Sequence, residues 1–154
     1  MSSPTVRTSF KAHLTAGAPS EVQVDLTAAF DEIKDLLSDY DLQPDAPWLG
    51  LQFEGGEVEP IGLYADNQKG LYREFGAVHF HVVAAARLGV GDSIVSRAQS
   101  LQKLFLGQRI GDIVIDRVTA VNTDAGSTLQ FEGGYVSGSF FVGYHRDIGT
   151  PTDY

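Results

Sequence analysis

Cysteine is absent from the 154 residues, which removes disulfides, thiolate metal ligands and a cysteine nucleophile together. Long apolar runs are missing too. The longest, residues 82–86, falls far short of the ~20 residues that a membrane helix needs, so no membrane is expected. Met1-Ser2-Ser3-Pro4 lacks the basic start and apolar stretch of a secretory signal, and the expected compartment is the cytoplasm. Basic residues are few and scattered: 11 Lys and Arg stand against 20 Asp and Glu, a net charge of −9. Proteins that grip nucleic acid concentrate cations to displace counterions from phosphate. No such grip is expected, and the acidic surplus reads as a solubility device.

What is present suits one domain. The length falls near the usual domain size. A hydrophobic fraction of 43 % with nine Phe, six Tyr and one Trp supplies a core. Val6, Phe10 and Leu14 fit one helical face, but the alternation from Val6 to Leu14 fits a strand equally well. Gly17-Ala18-Pro19-Ser20 breaks the chain. Asp25 then reads as a helix cap before Leu26, Phe30, Ile33, Leu37 and Tyr40 at helical spacing, with Pro44 and Pro47 as stops. Residues 48–53 read as a short strand. An acidic, glycine-punctuated excursion, 54–70, reads as an irregular protruding arm.

Residues 72–84 alternate strongly, with Val78, Phe80 and Val82 on one face and His79, His81 and Val83 on the other. Asp92 or Ser93 caps a second helix with the stripe Ile94, Ala98, Leu101 and Phe105, closed by Gly107. Strands over 110–121 and 134–145 follow, joined by the polar loop 122–133. The predicted fold is α+β: an antiparallel sheet of about four strands with two helices packed on one face, plus the arm. The predicted organisation is an N-terminal extension, 1–24, a domain over 25–146 and an extended tail, 147–154.

The sharpest chemical candidate is His79-Phe80-His81. Residues two apart in a strand share a face, so both imidazoles could ligate one metal, with His145 as a third. The pair resembles the His-x-His of cupin barrels, but Val82 to Ala86 stands where the following glutamate belongs. The simpler expectation is two polar residues on the less buried face of a long strand, with no metal and no cofactor. Glu54, Glu57 and Glu59 sit beside glycines and a proline, where water keeps carboxylates from the divergent pKa values that acid–base catalysis uses. Gly89-Val90-Gly91-Asp92 lacks the remaining glycine of a dinucleotide loop and the lysine of a phosphate loop. Ser137-Gly138-Ser139 lies inside a strand pattern, not at the strand-to-helix turn of a nucleophile elbow. No catalytic residue is identified, and an enzyme is not expected. Arm, N-terminal segment and tail instead suggest a protein that grasps neighbours.

The order of motifs from Pro47 onward resembles the tail terminator (tail completion) family of long-tailed bacteriophages and gene transfer agents. Pro47-Trp48-Leu49-Gly50-Leu51 precedes the glycine-rich excursion. Arg73-Glu74-Phe75-Gly76 leads into Val78-His79-Phe80-His81-Val82-Val83. Gly89-Val90-Gly91-Asp92 opens a helix that ends in Leu104-Phe105-Leu106-Gly107. Ile113-Val114-Ile115 and the closing run from Gly134 to Tyr144 complete the series. It covers about two thirds of the chain, as a pattern of glycines and apolar residues.

The resemblance implies a structural virion protein with no enzymatic activity and no cofactor. Such a protein forms a homohexameric ring at the head-proximal end of the tail tube, stops tube polymerisation and joins tail to head. Its partners would be further copies of itself, the tail tube protein and a head-completion or connector protein, with DNA passing through the lumen unbound. Assembly would occur in the host bacterial cytoplasm and the final location would be the virion. The residues before Asp25 depart from the family's usual single opening helix. Two alternatives stand beside this one: another head–tail junction protein (head closure or minor tail component), or a small metal- or ligand-binding module using His79 and His81.

Overall fold

Helix α1 (Pro4–Gly17) resolves the ambiguity of the first residues. Ser3 adopts an extended backbone and its hydroxyl accepts the Val6 N–H, while Pro4 needs no donor in the first turn. That cap selects the helical reading, in which Val6, Phe10 and Leu14 form one fully buried stripe. The computed structural model describes residues 3–26, 46–63, 70–85, 90–123 and 135–148. All but Leu26 of the helix expected over 26–40, most of the loop expected over 122–133 and residues 149–154 of the tail lie outside them. Asp25, expected to cap that helix, ends a strand and pairs with Lys11 at 2.6 Å.

The strands in chain order are β1 (Gln23–Asp25), β2 (Trp48–Leu63), β3 (Gly70–Ala85), β4 (Arg109–Ile110), β5 (Ile113–Val118), β6 (Asn122–Thr123) and β7 (Tyr135–Ile148). Helix α2 (Val90–Gln102) joins β3 to β4. The sheet runs β1-β2-β3-β7-β5-β4, with β6 pairing the near end of β7. This corrects the sequence expectation. An antiparallel sheet of about four strands is replaced by a larger mixed sheet, because β1 lies parallel to β2. Three of the additional strands (β1, β4 and β6) hold only two or three residues each, too few for alternation to register.

The expected irregular arm is corrected as well. Beyond Phe53, β2 continues in antiparallel register with β3 out to Leu63↔Gly70, interrupted by bulges between Glu54 and Glu57 and between Pro60 and Gly62. On its other side β3 pairs with β7 from Tyr72↔Ile148 to Ala85↔Tyr135. The distal half of β3 is thus the middle strand of an extension flanked by β2 and β7. Gly55-Gly56 and Pro60 mark the bulges, where glycine's freedom and proline's missing N–H fit.

One face of the sheet packs against both helices. Leu49, Leu51, Val78, Phe80, Val82, Phe140, Val142 and Tyr144 meet α1's stripe and Ile94, Ala98, Leu101 and Phe105 from α2 and its C-terminal turns. Phe105 lies 5.0 Å from Phe80 and 5.8 Å from Phe10, ring centre to ring centre. Each such buried ring contributes about 1.5–3 kcal/mol. Gly107 follows at φ 64°, the left-handed conformation that ends helical segments. The second face carries a smaller cluster of Val24, Leu26, Trp48 and Val83 at its β1 end. Farther along lies a polar and aromatic strip.

Candidate functional site

The strip contains the residues singled out from the sequence. Register places His79 opposite Gln52 on one side and Phe141 on the other, and His81 opposite Gly50 and Ser139. Directly paired residues share a face, so all of them stand on the face away from the helices. His79 and His81 are neighbours, ring centres 6.0 Å apart, as period-two spacing requires.

The surroundings of the two differ from the expected outer-face setting. His81 is 1 % exposed. Its Nδ1 lies 3.0 Å from Ser139 Oγ and its Nε2 3.3 Å from Gln52 Oε1. An amide oxygen only accepts, so Nε2 carries the proton and Nδ1 accepts from the serine hydroxyl. Burial pushes His81 down to about 4, and the neighbouring His79 adds to the effect. His79 is half-buried, rests edge-on against Phe141 at 4.7 Å and lies 3.2 Å from Glu54. Burial lowers its pKa, and Glu54 opposes that in part.

A metal ion needs free imidazole lone pairs aimed at one point. In His81 the one lone pair receives Ser139, and His79 is turned to Glu54. His145 stands four residues beyond Phe141 on β7, on the order of 13 Å along the strand, and pairs with Asp116 at 2.6 Å. Among the described residues no three His, Asp or Glu side chains gather as a ligand set.

The series Ser139–His81–Gln52 was not legible in the sequence, since its members lie on three strands and only register joins them. It has the outline of a nucleophile, a base and an orienting group. A working base must accept a proton near neutral pH, which a histidine held near 4 does poorly. The adjoining cavity, lined by His79, His81, Thr119, Asn122, Ser139, Phe140 and Phe141, measures about 50 Å³. That holds a water or two. The series is a buried polar network in which both ring nitrogens of His81 have partners across the sheet.

The three glutamates divide. Glu54 engages His79, while Glu57 and Glu59 are exposed on β2. Glu54, Glu57, both glycines of the bulge, Phe75, Gly76 and Ala77 border an open surface cleft of about 430 Å³. Ser137 is buried in β7. Asp92 is exposed in α2's first turn.

A different polar group, unanticipated from the sequence, lies on the helix-covered face. Ser3 donates its N–H and hydroxyl to Glu74, at 3.2 and 2.9 Å. Arg146 Nε stands 3.6 Å from the same carboxylate, and both charged residues are buried. No family model matches the chain, and no curated protein matches it.

Proposed function

We propose that this chain is a structural ring protein, a tail terminator that closes the head-proximal end of a phage-type tail tube and joins it to the head. The observation that carries the reading is where the resembling motifs fall. Trp48-Leu49-Gly50-Leu51 starts β2, Arg73 to Val83 runs through β3, Leu104 to Gly107 forms the turns that follow α2, and Tyr135 to Tyr144 runs through β7. The resemblance therefore follows the packed centre of the fold. Two of its glycines are packing positions: a Cβ at Gly50 would come within 2.7 Å of Leu26, and one at Gly138 within 2.8 Å of Ile94.

Partners are further copies of the chain in a hexameric ring, the tube protein on one face and a head-completion or connector protein on the other. A chain of net charge −9 lining a lumen repels passing DNA and does not trap it. The occupied nitrogens of His81 weigh against the ligand-module alternative. The test is to polymerise a phage-type tail tube protein with and without the purified chain. Tubes should stop lengthening and carry the chain at one end. Unchanged growth, with the chain missing from purified tails, would overturn the reading.

A further inference from the structure

The registers across the sheet place opposite charges at the two ends of the same cross-strand rows. Glu57 on β2 pairs with Phe75, Phe75 with His145, His145 with Val114 and Val114 with Arg109 on β4. The next row on that face begins at Glu54, which pairs with Ala77, then Gly143, then Arg117 on β5. Each row starts on a glutamate at one edge of the sheet and ends on an arginine at the other. Residues 75 and 77 are two apart on β3, so the rows are adjacent and share the face away from the helices.

Among the described residues both edges have ladder positions to offer. The pairing of β1 to β2 ends at Asp25↔Leu51, and beyond it β2 has only β3 as a ladder partner among the described residues. Likewise β4 covers only Ile113 and Val114 of β5. Glu57, Arg109 and Arg117 are exposed. The nearby charges of opposite kind are engaged within the chain: Asp116 with His145, Asp112 near Arg146, and Arg73 with Asp147. Of the row-end residues, Glu54 also meets His79, Arg109 donates to the Gly111 carbonyl and Arg117 lies over Phe141, contacts that leave the charges at the exposed edges.

We propose that copies of this chain join edge to edge, the outer edge of β2 in one copy against the β4–β5 edge of the next. Continuing the rows across the junction sets Glu57 beside Arg109 and Glu54 beside Arg117. Because the two surfaces differ, the contact is head-to-tail, and it propagates until it closes in a ring. Edge pairing supplies the backbone hydrogen bonds, and the row charges select register and reject the reverse pairings. This rests on the ring reading above and adds the surfaces that form it.

The experiment is sedimentation of the full-length chain across a concentration series. Two variants are made: Glu54→Lys with Glu57→Lys, and Arg109→Glu with Arg117→Glu. Each alone places like charges together and should dissociate at roughly tenfold higher concentration or more. An equal mixture restores opposite charges at every junction and should assemble again. Wild-type assembly that neither variant disturbs, or disturbed assembly that the mixture leaves unrestored, overturns the edge contact and leaves the ring reading standing. A wild-type chain that stays monomeric alone and on tail tubes overturns both. If Arg117→Glu unfolds the chain by losing its seat over Phe141, 5.2 Å away, the Glu57→Lys and Arg109→Glu pair alone gives the same outcomes.

Discussion

Ser3 and Glu74 are 71 positions apart in sequence and joined by two hydrogen bonds, the serine N–H and hydroxyl both donating to one carboxylate. Glu74 has no exposed surface, and Arg146, 3 % exposed, faces it from β7. The group ties the first turn of α1 to the middle of the long hairpin. Two charges held out of water repay their desolvation only together. Arg146→Met, which strands the carboxylate, should therefore cost about 3–5 kcal/mol in urea unfolding. Ser3→Ala, which removes the cap and one of the two bonds, should cost about 1–2 kcal/mol. Equal, small effects from both would show that the group is solvated.

Gly76 has Tyr144 across the sheet from it, and a Cβ there would overlap the tyrosine hydroxyl. Tyr144 is 1 % exposed and packed in the core, so it has little room to yield. Gly76→Ala should destabilise by about 1–3 kcal/mol through overpacking, and Tyr144→Phe in the same chain should recover part of that. A thermal melt of the wild-type chain and the two variants checks the order.

His81 makes stability depend on pH. Its pKa falls from 6.5 when unfolded to about 4 in the folded chain, by burial first and His79 second. Between those values the unfolded state holds a proton that the native state lacks. Stability is complete above about pH 6.5 and declines as pH falls toward 4, by about 3 kcal/mol in all. His79 is shifted in the same direction. His81→Asn should flatten that decline. At neutral pH it should also cost about 1–3 kcal/mol, because Ser139 or Gln52 then loses its partner. An unchanged pH profile would place the titration elsewhere.

Wild-type chain melted with and without a chelator should give the same midpoint, since the lone pair of His81 is taken by Ser139. A sharp fall on adding chelator, matched by a His79→Asn, His81→Asn variant already at the lower value, would restore the metal reading.

Periodicity served best where elements were long. The alternation through Val78, Phe80 and Val82 and the stripe Ile94, Ala98, Leu101 and Phe105 gave β3 and α2 to within a few residues. It failed on Gln23–Asp25 and Arg109–Ile110, where pairing partners, not local pattern, make the strand. The glycines and acids of 54–61 suggested an arm without order because their composition is poor in strand formers. Tertiary pairing to β3 overrides that. At the site, the spacing of His79 and His81 placed them on one face correctly. The spacing carried no information about Gln52 or Ser139, which bury one of them, nor about Ser3, which only the folded chain brings to Glu74.

Particle imaging of the purified chain, with native mass measurement of the same sample, tests the central proposal most directly. The expected result is a closed ring with the mass of six chains and with β2 of each subunit against β4–β5 of the next. A population that is monomeric in solution, and still monomeric when mixed with tail tubes, would contradict it.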